Sequence, residues 1–337
     1  MPVENTQIRL AARPTGLPKA SDWNISKTPL AQPSDGEFLA QTFYLSLDPA
    51  MRGWMNEGKS YIEPVALGEV MRCGGVARVI ASRHDAYQVG DWVAGITGVQ
   101  AYWLSDGHGV SKIDPEAAPL PKFLSVLGMP GMTAYFGLLD IGKPAPGETL
   151  VVSGAAGAVG SIVGQIGKIK DCRVIGIAGG ARKCTYLTEE LGFDAAIDYK
   201  ADDIDASLAR HCPGGIDVYF DNIGGSLLDS VLARLRLHAR ICVCGAISQY
   251  NNTQGIRGPS NYLSLLVNRA RMEGFVVFDY ANRYLDAIRA MSTWMRESRL
   301  QSREHIVQGI ESFPETLLML FDGRNFGKLI IQVADPQ

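Results

Sequence analysis

The stretch VVSGAAGAVGSIVGQIGKIK, residues 151–170, runs from an apolar strand through a loop of glycine and alanine into a helix. Within it Ala155, Gly157 and Gly160 keep the spacing of the dinucleotide fingerprint, with alanine in the first place and Gly154 just before it. Bare backbone lets a phosphate approach closely, the last glycine lets helix and strand pack, and free amides at the helix start attract an anion. Such a turn is weak evidence alone, because 37 glycines scatter chance patterns through the chain. Its context strengthens it, since Val159, Ile162, Val163, Ile166 and Ile169 follow at helical spacing.

Outward from this stretch, strands and helices alternate. TLVVSG is followed by the helix to Lys170, then RVIGIA, a helix through RKCTYLTEELG, AAIDY, IDVYFDN, a helix through SLLDSVLARLR, ARICVCGA and MEGFVVF. This alternation predicts an α/β fold, a doubly wound parallel sheet of the Rossmann type, beginning near Leu124. From about Glu37 to Pro121 the texture differs: short strands broken by turns, as in GGVARVIAS and YQVGDWVAGITG, predict a small β domain of barrel type. The tail GKLIIQVAD reads as one more strand, returning to that first domain. The expected divisions are 1–123, 124–300 and 301–337.

At 337 residues the chain has room for roughly two domains. Apolar residues are 46% and charged residues 20%, an ordinary globular composition. A formal charge of −3 without lysine-rich runs argues against a nucleic-acid partner. No apolar run has signal-peptide or membrane-spanning length, which predicts a soluble cytoplasmic protein without a membrane partner. The six cysteines show no CxxC spacing and the five histidines no His-x-x-x-His pair, so no metal is expected. Cys242 and Cys244, two apart in RICVCGAI, would share one face of a strand; buried small hydrophobes explain them better than a redox pair.

The end of the next strand decides between dinucleotides. An acid about 20 residues beyond the loop would accept the ribose hydroxyls of NAD, but RVIGIA leads into Gly179, Gly180, Ala181, Arg182 and Lys183. A basic group there favours a 2′-phosphate, and cations are otherwise disfavoured in a first helical turn, so the expected cofactor is NADP(H).

The runs GMPGMTAYFGLLDIG, GAAGAVGSIVGQIGKIKDCRVIGIAGG, LGFDAAIDYK, YFDNIGG, CGAISQYN and GFVVFDY together resemble the medium-chain dehydrogenase/reductase superfamily. They are most similar to its zinc-free branch of leukotriene dehydrogenase/prostaglandin reductase, plant alkenal double bond reductases and bacterial curcumin reductase. LSLDPAMRGWMNEGKSYIEPVALGEVM matches the same branch, where zinc-dependent relatives carry a cysteine ligand and later Gly-His-Glu. The resemblance implies a GroES-like catalytic β-barrel beside the Rossmann domain, and a homodimer. It also implies that Thr133, Gly157, Ala158, Val159, Gly160, Lys183, Tyr199, Asn222, Cys244, Ile247, Ser248, Tyr250, Phe275, Val276, Val277 and Asn325 contact NADP(H), Lys183 and Tyr199 at the 2′-phosphate. Tyr61 and Tyr250 are implied to face the substrate as catalytic residues. A lone tyrosine also reads as a half-buried packing residue with its hydroxyl in water.

The implied reaction is NADPH-dependent reduction of the carbon–carbon double bond of an α,β-unsaturated ketone or aldehyde. Two rivals stand beside it: an NADPH quinone reductase of the same superfamily, and a non-catalytic NADPH-binding protein. The presence of both tyrosines counts against the second.

Overall fold

The strand that leads into the glycine loop, Thr149–Ser153, sits inside a six-stranded sheet in the order Ala195–Asp198, Arg173–Ala178, Thr149–Ser153, Ile216–Asp221, Leu235–Val243, Arg271–Gly274. All five pairings are parallel. A computed structural model describes residues 4–336 and divides them into two compact units, Ser125–Arg303, which holds this sheet, and the residues up to Leu124 with those from Glu304 onward. The central strands are continuous apolar runs because helices cover both faces: Leu150, Val151, Val152, Val218, Tyr219 and Phe220 have no exposed surface. From Thr149–Ser153 the chain winds outward through Arg173–Ala178 and Ala195–Asp198, then crosses back to Ile216–Asp221 on the other side. The loops after Ser153 and Asp221 therefore leave adjacent strands at the point where winding reverses, the place where such sheets bind ligands. The helix Gly160–Ile169 packs Ile162, Val163 and Ile166 inward with no exposed surface.

In the other unit a seven-stranded sheet runs Glu304–Gln308, Lys328–Gln332, Phe38–Ser46, Gly74–Ser82, Trp92–Ile96, Ser111–Lys112, with Tyr102–Ser105 also pairing with Phe38–Ser46. Phe38–Ser46 serves three partners because its register shifts between Leu39 and Ala40 and between Thr42 and Tyr44, bending it around the core. The last strand, Lys328–Gln332, pairs antiparallel with its end, Ile330 opposite Ser46.

Three local expectations are corrected. An antiparallel pair, Glu4–Leu10 with Trp23–Pro29, precedes the β region that the sequence places from Glu37. The strand expected over MEGFVVF stops at Gly274, and Val277–Arg283 is a 3-10 helix. The reason is local: the Phe275 ring turns against Gly137, where a methyl group would come within 2.3 Å of it, and meets Phe220 edge-on at 6.2 Å. Cys244 lies beyond the end of the strand Leu235–Val243, so Cys242 and Cys244 do not share a strand face.

Candidate functional site

In the unit Ser125–Arg303 the glycine loop is a tight turn with two strict requirements. Gly154 takes φ +59°, and a methyl group at Gly160 would lie 2.4 Å from the Gly154 oxygen and 2.8 Å from Ala155 Cα. At Gly157, by contrast, a methyl group would meet only the Gly154 oxygen, at 3.1 Å, so its outer side is open. The amides of Ala158 and Val159 donate to no acceptor among the described residues, just ahead of the helix Gly160–Ile169. Open glycine and unmade amides at a helix start fit a pyrophosphate.

Lys183 and Tyr199 come to one place, the turn Gly179–Gly180. The Tyr199 ring lies over Gly179, within 2.7 Å of where a methyl group would stand, and the Lys183 amide donates to the Gly180 oxygen at 3.0 Å. The neighbouring strand supplies a carboxylate that the sequence around RVIGIA did not reveal. Asp198 Oδ1 accepts from the amides of Gly180, at 2.7 Å, and Lys200, at 3.0 Å. This acid braces the turn through backbone donors, leaving Lys183 half-buried and Tyr199 exposed beside it.

At the switch point the hub is Asp221, 1% exposed. Its Oδ1 accepts from Tyr219 Oη at 2.9 Å, Ser153 Oγ at 3.2 Å, and the amides of Ile223 and Gly224 at 3.0 and 2.9 Å. Burial pushes the Asp221 carboxyl above its ordinary range although all four donors pull it down. Burial, with the Asp221 charge beside it, also pushes the Tyr219 phenol well up, so Tyr219 stays a donor. Asn222 follows with its amide on Ser153 Oγ, 2.9 Å, and Nδ2 on the Ser153 oxygen, 2.7 Å.

The carbonyls of this same turn hold the segment from Cys244 to Tyr250. Asp221 O accepts from Cys244 and Gly245 amides, Asn222 O from Ile247, and Ile223 O from both the amide and the hydroxyl of Ser248. Tyr250 folds back so that its hydroxyl oxygen accepts the Ala246 amide at 3.2 Å. Asn222, Cys244, Ile247, Ser248 and Tyr250 are thus one assembly. Thr133 lies on the helix Met129–Phe136, its hydroxyl on the Met129 oxygen, one turn before the Gly137 that receives Phe275. Val276 and Val277 follow Phe275 into the 3-10 helix. Tyr61 and Asn325 belong to the other unit: Trp54 Nε1 donates to Tyr61 Oη at 3.2 Å, and Asn325 Nδ2 donates to the Gly327 oxygen at 3.2 Å. Ser153, Tyr219, Asp221 and Asp198 are the supporting residues that sequence reasoning missed.

Asp221→Asn keeps an oxygen at the Oδ1 position and removes a disfavoured buried charge, so its stability in urea unfolding at neutral pH should stay within about 1 kcal/mol of the parent. Asp221→Ala strands four donors and should cost about 3 kcal/mol or more. With the folded carboxyl raised, the parent's contribution from this group is full below the unfolded value of about 3.9 and is lost as pH rises through the folded value; the Asn variant should lack that slope.

Comparison with known proteins places the chain in a family. A family model described as the N-terminal domain of oxidoreductase matches residues 6–113, and one described as zinc-binding dehydrogenase matches residues 158–293. Despite the second description, no three His, Cys, Asp or Glu side chains gather to hold a metal ion among the described residues. The chain is 47% identical over 335 residues to the NADPH-dependent curcumin reductase of Escherichia coli (strain K12), covering 98% of this chain and 97% of that protein. It is 41% identical over 339 residues to the 2-alkenal reductase (NADP(+)-dependent) of Nicotiana tabacum, covering 98% of each. The crystal structure of CurA in complex with NADPH from Vibrio vulnificus superposes with a TM-score of 0.94 at 47% identity, covering 98% of this chain and 100% of that one. The chain therefore belongs to the medium-chain dehydrogenase/reductase superfamily, in its branch of curcumin, alkenal and prostaglandin reductases.

Proposed function

We propose that this protein reduces the carbon–carbon double bond of α,β-unsaturated ketones and aldehydes with NADPH. The observation that carries the reading is the full-length similarity to NADPH- and NADP-dependent double-bond reductases, joined to an open glycine turn beside Lys183 and Tyr199. Bound NADPH supplies the hydride that is delivered to the β-carbon. The protein's part begins with binding: the Ala158 and Val159 amides take the pyrophosphate, and Lys183 and Tyr199 take the 2′-phosphate. Asn222, the Cys244 to Tyr250 segment, Thr133 and Phe275 to Val277 line the remainder, and Asn325 is a further proposed contact.

Negative charge then grows on the substrate's carbonyl oxygen as an enolate, a donor already aimed there lowers the barrier, and a proton from solvent at the α-carbon completes the saturated product. Tyr250 has that role in this reading. Its oxygen accepts the Ala246 amide, which polarises the hydroxyl and strengthens it as a donor. Tyr61 orients the substrate.

A homodimer is the proposed assembly. Arg271–Gly274 is the open edge of the parallel sheet with all four residues exposed, and Leu263, Leu266 and Val267 just before it are 57%, 75% and 69% exposed. No helix among the described residues is long and apolar enough to cross a membrane, and six free cysteines accord with a reducing cytoplasm.

Four measurements test these statements. Lys183→Ala removes a charge-assisted bond of about 1.5–3 kcal/mol, so NADPH affinity should fall roughly tenfold or more while NADH affinity holds; equal losses would contradict the 2′-phosphate role. Tyr250→Phe should slow turnover by about 10²–10³-fold with little change in NADPH affinity, and NADPH deuterated at the transferred position should label the β-carbon of a saturated ketone. Label at the carbonyl carbon would make the protein an alcohol dehydrogenase. Sedimentation at micromolar concentration should give a dimer, and a clean monomer would refute the assembly.

A further inference from the structure

Lys328 is 1% exposed, a lysine almost wholly withdrawn from water. It opens the strand Lys328–Gln332 at the point where Phe38–Ser46 ends. Its Nζ donates to the Leu47 oxygen and to Asp48 Oδ1, each at 2.6 Å, while Asp48 Oδ2 accepts from Ser46 Oγ at 2.6 Å. Alongside, the Cys73 thiol contacts the Ser46 oxygen at 3.1 Å. Burial, and after it the Asp48 charge, push that thiol up, so it is neutral and the cluster carries one cation and one anion. A buried cation is expensive unless paired with good geometry, and here two short bonds supply it.

The pair grips the beginning of a segment that ends at a site residue. Asp48 O accepts the Met51 amide at 3.0 Å and Pro49 O the Arg52 amide at 3.1 Å, starting the helix Ala50–Trp54, which has no side-chain cap. Five residues cannot hold a helix by themselves. At its far end Trp54 reaches Tyr61 through Nε1, and its carbonyl accepts the Val65 amide at 2.9 Å.

We infer that Lys328 is a positioning residue whose ion pair with Asp48 fixes the helix Ala50–Trp54 and, through Trp54, the direction of the Tyr61 hydroxyl. The kinetic consequence rests on the reading of Tyr61 as a substrate contact; the structural consequence does not.

The test uses the full chain with NADPH and a simple enone. Lys328→Met keeps side-chain length and removes the charge, and Asp48, whose side chain is 30% exposed, retains water as a partner. Asp48→Asn is the milder variant should Lys328→Met not fold. Amide exchange at Met51, Arg52, Asn56 and Val65 should rise about tenfold or more, with the strand Thr149–Ser153 unaffected. The enone KM should rise about fivefold or more while kcat and NADPH Kd change less than about twofold, and adding Tyr61→Phe should raise KM no further. Unchanged exchange over 51–65, exchange raised evenly throughout the unit, or KM effects that add independently would overturn the inference. If exchange rises as expected but Tyr61→Phe alone leaves KM untouched, the substrate reading of Tyr61 falls and the hold of Lys328 on the segment stands.

Discussion

Four donors converge on one oxygen, Asp221 Oδ1, where the parallel sheet reverses its winding. The rest of the site depends on that convergence. Ile223 and Gly224 are turned so that their amides face inward, which turns the carbonyls of Asp221, Asn222 and Ile223 outward toward Cys244, Gly245, Ile247 and Ser248. The segment that carries Tyr250 borrows its shape from this turn. Ser153, which donates to the same oxygen, is the last residue before the glycine loop, so that loop and the Tyr250 segment share one anchor. A buried carboxyl is a costly way to join two loops, and its raised pKa records that cost; a saturated set of donors keeps the arrangement single-valued.

The second unit solves a similar problem with opposite materials. Where Asp221 gathers neutral donors around one acid, Lys328 is a cation held by a carbonyl and a carboxylate at the end of Phe38–Ser46. Each charge sits where a strand gives way to a loop, one leading to Tyr250 and the other to Tyr61. The segment after Phe38–Ser46 buries Met51, Met55 and Val65 in the core, and hydrogen bonds to a rigid strand end add direction to that packing.

What the sequence disclosed follows from the range over which each feature acts. The glycine turn was legible because Gly154, Ala155, Gly157 and Gly160 fulfil their roles within seven residues, and the parallel sheet because apolar strands such as TLVVS, RVIGIA and IDVYFD alternate with helices at short spacing. Asp221 was not singled out, since Ser153 and Asp221 stand 68 residues apart and an acid in FDN carries no local mark. Asp198 escaped for the same reason: it braces the Gly180 turn from another strand. The run MEGFVVF misled because its apolarity has two causes, an edge strand to Gly274 and the docking of Phe275 on Gly137, which period and propensity do not separate. Of the two tyrosines, Tyr250 gains a backbone partner that explains its orientation, whereas the support for Tyr61 runs through Trp54 and a lysine 267 residues beyond it in the chain.

These supports bear on the chemistry through the kind of donor they aim. The enolate oxygen acquires its charge only as hydride arrives, so a donor that binds it gains more in the transition state than with the neutral ketone. In the proposed reading, the Tyr250 hydroxyl, held by the Ala246 amide on a loop braced from Asp221, would offer that difference without a standing charge that would grip ground state and product alike. Two buried charged groups stand behind these loops, Asp221 under the turn that holds the Tyr250 segment and Lys328 with Asp48 at the end of Phe38–Ser46, and there they fix direction. Catalytic power in such a site resides in how little the aimed hydroxyl must move, which is a property of the buried network beneath it.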